Sequence, residues 1–355
     1  MTGSGGAQQP NTALQPQAEQ AAAAAPAQQP EPRDAPHRHV LEAPQPRLLQ
    51  VYPLRYTKTI HFIRHGEGFH NIAGRANHDN YKSWEYEDSH LRQALVLLVG
   101  TPEGWRQAHE LGRHMAAAGI RPQVVIVSPL TRAIETAVGA FGDHPASPAA
   151  VANGNGNGSS GGNGNGSSGG NGNGSASASA SASAELLMAE LSEIPGKRSG
   201  HPAVPLGAAP PFVCMELCRE HLGVHPCDRY SSLAPKKAFF PGVDFSSVED
   251  ADALWQADHR ETKEEIQARG RVFMAQLMAR PEQEIAVVTH SSFVHYLLTN
   301  YGHTASTHVQ GDLHRWFENA ELRSVVVADP GSTAHPPDPT HFPGFASRVL
   351  EGPQA

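Results

Sequence analysis

Two guanidinium groups and two imidazoles stand where apolar runs of this sequence give way to polar residues. Arg64 and His65 follow Thr59-Ile60-His61-Phe62-Ile63 and precede Gly66 and Gly68. Arg132 follows Val124-Val125-Ile126-Val127 by way of Ser128-Pro129-Leu130-Thr131, and His290 follows Ile285-Ala286-Val287-Val288-Thr289. A β-branched run broken by glycine or a polar turn reads as a strand entering a loop, so each of these groups falls at a strand's carboxyl end. In open α/β sheets that edge is where ligands bind. A cation beside an imidazole there suits an anionic, phosphorylated ligand. Taken singly, Arg132 reads as a helix-surface cation, His290 as a hydrogen-bonded core histidine, and Arg64 with His65 as a polar pair before a turn. Convergence of all three junctions is what makes a site of them.

The elements that would bring them together are legible in part. Thr101 as N-cap, Pro102 at the first helical position, and Trp105, Ala108, Leu111 and Met115 on one face predict a helix ending near Gly119. Val124 to Val127 reads as a strand covered on both faces. Ser128 then caps a second helix, with Pro129 at its first position and Arg132 in its first turn. Phe293 to Leu298 follows the third strand as a helix, Ala251 to Met278 reads as largely helical and amphipathic, and Arg323 to Ala328 as a final strand. Three strand-to-helix crossovers set the arginines and histidines on one rim of a parallel sheet. Asn71 to His90 is polar and aromatic without a clean period, an irregular segment over a pocket mouth. Leu91 to Gly100 reads as an insertion with no derivable fold.

Composition bounds the rest. Of the 355 residues, the first 50 are dominated by Ala, Gln and Pro and read as a disordered region. Residues 143 to 184 run through Asn-Gly, Ser-Gly and Ser-Ala repeats, the composition of a flexible low-complexity insertion. A single domain over 51 to 330 and a loose tail over 331 to 355 account for the remainder. A net charge of −8 argues against a general nucleic-acid or membrane-surface binder. Cys214, Cys218 and Cys227 suit a reducing compartment as buried thiols; Cys214 and Cys218 are spaced one helical turn apart, but no second pair with zinc-finger spacing follows. Most of the 21 histidines read as surface residues, and no metal or cofactor is called for. Without a secretory signal or a run able to span a bilayer, a cytoplasmic protein is expected. A homo-oligomer is compatible with the sequence.

Three ordered motifs, Arg64-His65-Gly66-Glu67 with Asn71 following, Ser128-Pro129-x-x-Arg132-Ala133, and Thr289-His290, resemble the histidine phosphatase superfamily. The resemblance covers nearly all of the foldable portion and implies a three-layer α/β/α sandwich with a mostly parallel sheet, the phosphoglycerate mutase-like fold. It implies that His65 attacks phosphorus to form a phosphohistidine. Arg64 and Arg132 would keep that imidazole neutral and clamp the phosphoryl oxygens, His290 would be a further, protonated clamp, and Asn71 would donate a hydrogen bond. The family's proton donor is a Glu ahead of a glycine; Glu220, three residues before Gly223, matches better than Glu216. His221-Leu222-Gly223-Val224 stands where the mutase branch carries a Tyr-Gly-Gly-Leu-type segment, Glu67-Gly68-Phe69 departs from the acid phosphatase and phytase branch, and Ser291 stands where many relatives have Gly. Residues 217 to 228 look most like plant and algal phosphoglycerate mutase-like proteins. The expectation is a phosphomonoesterase acting on a small phosphorylated metabolite. The alternatives are a 2,3-bisphosphoglycerate-dependent mutase and a non-catalytic module binding a phosphorylated ligand, for which an acidic Glu220 is a poor fit.

Overall fold

A computed structural model describes residues 50–91, 103–142, 185–230, 232–333, 337–338 and 340–344. The expectations for 1–49, 92–102, 143–184 and 345–355 fall outside the described residues. The elements of the unit Val51–Ala355 run β1 (Thr57–Arg64), α1 (Phe69–Ala76), α2 (Glu103–Ala117), β2 (Val124–Val127), α3 (Thr131–Phe141), β3 (Leu186–Met188), β4 (Val204–Pro205) and β5 (Phe212–Cys214). They continue through α4 (Ala234–Phe239), β6 (Val243–Asp244), α5 (Lys263–Ala279), β7 (Glu284–Thr289), α6 (Ser291–Leu298), α7 (Thr307–His314) and β8 (Leu322–Ala328).

The main sheet has the order β6-β5-β2-β7-β1-β8. Neighbours pair in parallel except β8, which runs antiparallel to β1 along one edge. Side chains alternate across a strand, and the sheet separates two cores accordingly. Ile63, Val125, Val127, Ala286 and Val288 face Trp105, Leu111 and Met115 of α2 and Ile134 and Val138 of α3. Ile60, Phe62, Val124, Ile126, Ile285 and Val287 face Ile266, Phe273 and Leu277 of α5 and Phe293, Val294 and Leu297 of α6. That makes three layers, helices on both faces of a mostly parallel sheet, as the motifs implied. Phe273 and Phe293 meet edge to face with centroids 5.5 Å apart. Burying a side chain of that size contributes roughly 1.5–3 kcal/mol.

Several local expectations are corrected. α3 begins at Thr131 with Leu130 as its N-cap, not at Pro129 behind a Ser128 cap; the Ser128 hydroxyl lies 2.8 Å from the His290 ring nitrogen and accepts from the Leu130 N–H at 3.4 Å. Residues 251–262 are not helical: α5 starts at Lys263, where Thr262 and Glu265 form a reciprocal capping box. The stretch 71–90 is not wholly irregular. It holds most of α1 and two short 3₁₀ turns, His78–Lys82 and Trp84–Tyr86. α1 buries His70, Asn71 and Gly74, not aliphatic residues, so no apolar period announces it. Cys214 lies on β5 and Cys218 in the 3₁₀ turn Glu216–Cys218, and the two join opposite cores.

Between that turn and α4 the chain makes an ordered loop centred on the fully buried Arg219. Its guanidinium takes both oxygens of Asp252 at 2.6 Å, the Asp228 carbonyl at 2.7 Å and Glu216 at 3.2 Å. Gly223 turns the loop with φ +87°, and a Cβ there would fall 1.7 Å from the His259 carbonyl oxygen. Gly223→Ala is therefore expected to lose at least about 1–2 kcal/mol of stability from backbone strain alone. A urea titration checks this: the midpoint falls with the slope unchanged, whereas an unmoved midpoint would show that the loop relaxes without cost.

Candidate active site

His65 follows β1 and is buried. Its backbone N–H continues the ladder to the Thr289 carbonyl at 2.9 Å, which fixes the residue against the end of β7. The ring is oriented by a neighbour in sequence, for its Nδ1 lies 2.6 Å from the Gly66 carbonyl oxygen. A carbonyl only accepts, so Nδ1 carries the proton and Nε2 presents its lone pair. Arg132 Nε donates to that lone pair at 3.3 Å. Burial first, then the Arg132 and Arg64 charges, pushes His65 well below the ordinary imidazole range. The ring is neutral, and its unprotonated nitrogen has a fixed direction.

Arg132, in the first turn of α3, is fully buried. Besides His65 it donates to the Cys227 carbonyl at 2.5 Å and to Asp228 Oδ1 at 3.0 Å. The other oxygen of Asp228 accepts from Arg260 at 3.0 Å, and the same Arg260 nitrogen bonds the His221 and Gly223 carbonyls. One buried carboxylate thus spans two guanidiniums. Arg64 ends β1, donates to the Phe317 carbonyl at 2.7 Å, and leaves its buried Nε without a partner.

His290, the residue ahead of α6, stacks obliquely on His65 with centroids 5.0 Å apart. Burial, followed by the Arg132 charge, pushes it well below the imidazole range, so it is neutral in the free protein; the protonated clamp that the motifs implied concerns the ring facing a bound phosphoryl group. Asn71 is present at the cavity, but its amide also braces the loop. Its Oδ1 accepts from Gly68 N–H at 2.9 Å and its Nδ2 donates to His70 Nε2 at 3.0 Å. His70 therefore carries its proton on Nδ1, a buried donor without a partner.

The two candidate acids separate cleanly. Glu216 accepts from the Tyr230 hydroxyl and from Arg219, so both its oxygens serve the loop. Glu220 instead lines the cavity with Arg64, His65 and Arg132. Its Oε1 accepts from the backbone of His221 at 2.9 Å and of Phe293 at 3.2 Å, the second from the first turn of α6. With Oε1 held by two donors, a proton on this carboxyl belongs on Oε2.

The cavity measures about 190 Å³. Its wall also takes His78, Tyr81 and His225 at one side, Cys227, Asp228 and Arg260 at another, and Ser291 and Ser292 from α6. Tyr81 stacks on His225 at 5.7 Å. Sequence reasoning gave no role to His78, His225, Asp228 or Arg260, and Tyr81 falls within the segment read as lying over a pocket mouth. Asp228 lies in the 217–228 stretch already singled out, whereas Arg260 sat in a stretch read as helix and carried no signal. A larger space of about 410 Å³ lies beside the residues leading into β2, lined by groups such as Met115, Phe141 and Pro210, with no catalytic side chains. Among the described residues no cluster of three or more His, Cys, Asp or Glu is placed to hold a metal ion. Nor is any helix among them long and apolar enough to cross a membrane.

A family model described as histidine phosphatase superfamily (branch 1) matches residues 60–150. A phosphoglycerate mutase-like protein of Arabidopsis thaliana is 37% identical over 307 residues, spanning 85% of this chain and 97% of that relative. Phosphoglycerate mutase-like protein 1 of the same plant is 34% identical over 312 residues, spanning 85% and 93%. Among solved structures, the ecdysone phosphate phosphatase from Bombix mori, in complex with tungstate, aligns at 14% identity with a TM-score of 0.39, covering 82% of this chain and 99% of that one. Identity of that extent to the Arabidopsis proteins, over chains matched almost end to end, makes this protein a member of the histidine phosphatase superfamily, an enzyme of its phosphatase and phosphoglycerate mutase-like class.

Proposed function

We propose that the protein is a phosphomonoesterase that hydrolyses a small phosphorylated metabolite through a phosphohistidine on His65. The observation that carries this reading is the His65 ring itself: Nδ1 fixed on the Gly66 carbonyl, Nε2 unprotonated and facing Arg132. Nε2 attacks phosphorus in line with the departing ester oxygen, the P–O bond breaks, and Glu220 Oε2 gives that oxygen its proton. As Nε2 bonds to phosphorus, the Arg132 Nε–H it had accepted becomes free for a phosphoryl oxygen. Arg64 supplies a second guanidinium, and His290 and Asn71 supply further nitrogen groups around the same anion. Such positioning and charge compensation is most of what phosphoryl transfer requires. Water then attacks the phosphohistidine, Glu220 takes its proton, and orthophosphate leaves. A second reading, in which the acceptor is another hydroxyl instead of water, is supported by the mutase-like name of the Arabidopsis relatives.

His65→Ala is expected to lower hydrolysis of an aryl phosphate by about 10³-fold or more and to abolish acid-labile phosphate labelling of the protein. Labelling that survives the substitution would reject the phosphohistidine. Glu220→Gln is expected to slow alkyl phosphates by about 10²- to 10⁴-fold while sparing an aryl ester whose leaving group needs no proton. Equal losses on both esters would remove Glu220 from the donor role.

The pH dependence follows from the nucleophile. His65 works as the neutral ring and its pKa lies well below 6.5, so acidification removes the working form only well below that pH. The rate of enzyme phosphorylation by an aryl phosphate, measured before steady state, is expected to stay flat from about pH 8 down to about 6.5. A fall centred at the ordinary imidazole pKa would contradict the buried, cation-flanked environment. Hydrolysis and transfer are separated by supplying 3-phosphoglycerate with and without 2,3-bisphosphoglycerate. Release of orthophosphate that ignores the bisphosphate supports hydrolysis, and bisphosphate-dependent formation of an enolase substrate supports transfer.

A further inference from the structure

The charges that line the cavity are few enough to weigh against one another. Arg64, Arg132 and Arg260 are the cations on its wall, and Glu220 and Asp228 the carboxylates. Asp228 is buried and divides its two oxygens between Arg132 and Arg260, each at 3.0 Å, so one of the three positive charges is already met inside the protein. Two remain. With Glu220 carrying the proton that it is proposed to deliver, the wall is positive by two charges, the complement of a single phosphate dianion. With Glu220 ionised the surplus is one. The imidazoles add no fixed charge in the interior, since burial holds His65, His70 and His225 below the ordinary range, while His78 lies exposed at the mouth, where solvent screens it. The rest of the wall, Tyr81 stacked on His225 together with Ser291 and Ser292, offers ring faces and hydrogen-bonding groups but no further cation, and His225 itself lies 4.0 Å from Asp228.

We propose that the cavity selects phosphate monoesters whose phosphate is their only charged group, esters of neutral alcohols, and that Asp228 sets this limit by neutralising one of the three guanidiniums. The inference rests on the reading of the site as one for phosphate monoesters and deepens it by naming the class of leaving group. A carboxylate or a second phosphate on the substrate would have no cation left to face and would stand near Asp228. Asp228 is a specificity and positioning residue in this scheme: it touches two arginines and determines how much charge they show to a ligand.

The test compares kcat/KM for two matched series, phosphate esters of uncharged polyols and sugars, and analogues of similar size bearing a carboxylate or a second phosphate. The intact wild-type protein is expected to favour the first series by about tenfold or more, the size of effect that one uncompensated charge produces at such a distance. Asp228→Asn, which adds a positive charge to the wall, is expected to move the ratio towards the doubly charged series by about 10- to 100-fold even where overall turnover drops through a less well held Arg132. Arg260→Gln, which leaves Arg132 and its Asp228 contact in place, is expected to move the ratio the other way. A wild-type preference for the doubly charged series, or a ratio that neither variant changes, would overturn the proposal. If no ester is turned over and His65 is never labelled, the proposed hydrolytic function fails instead. The same ratio is then read from Kd by calorimetry, and the charge inference stands or falls on that.

Discussion

A guanidinium sealed inside a protein next to an unprotonated imidazole nitrogen is the constraint on which this structure turns. Arg132 has no exposed surface, and an ion taken out of water is tolerable only if its charge and its donors are met. Asp228, the Cys227 carbonyl and the His65 lone pair meet them. Each of these partners is thereby fixed as well. The lone pair is aimed, the loop 226–228 is pinned beneath α3, and the imidazole is refused a second proton by its burial and then by the charge beside it. An exposed arginine at the same distance would be screened and would hold none of this in place.

The rest of the fold explains why that arginine can be there. β2 lies between β5 and β7, and β7 lies between β2 and β1, so the carboxyl ends of β1, β2 and β7 are neighbours although 67 residues separate His65 from Arg132 and 225 separate it from His290. Backbone ladders carry past the strand ends, His65 N–H to Thr289 and Ser128 N–H to Val288, so the site is built on hydrogen-bonded rails and not on free loops. The two apolar cores on opposite faces of the sheet hold α3 and α6 at those ends. Misplacing either helix by an ångström would cost the alignment on which transfer depends.

How much of this the sequence disclosed depended on the length of each signal. β2 and β7 were readable as apolar runs flanked by a turn, and β1 as a mostly β-branched or aromatic run despite His61; Arg64, His65, Arg132 and His290 were readable because each sits at the end of such a run. β5 and β6, of three and two residues, are too short to show a period; β5 adds to the edge of β2 and β6 to the edge of β5. α1 was hidden because its buried face is polar: His70, Asn71 and Gly74 face inward to serve the cavity and to make room for Tyr81. Asp228 and Arg260 were beyond reach for a different reason. Their roles arise from a contact made across 32 positions by a loop whose path is set by the buried Arg219 and its bond to Asp252, and no spacing rule encodes such a path.

Glu220, as the proposed proton donor, is asked for opposite things and has two oxygens with which to meet them. Oε1 accepts the Phe293 N–H, which belongs to the first turn of α6 and would otherwise be an orphan donor. The helix dipole favours negative charge at that end. A general acid, by contrast, must carry a proton, and the developing charge on a departing alkoxide must be able to draw it off. In the proposed mechanism the two oxygens divide these tasks: Oε1, bonded to the helix, stays an acceptor throughout, and Oε2 loses and regains the proton. Glu216, only one turn earlier, has no such asymmetry, since Tyr230 takes one of its oxygens and Arg219 the other. The loop therefore gives two chemically identical acids different surroundings, Tyr230 and Arg219 against Glu216 and the His221 and Phe293 amides against Glu220.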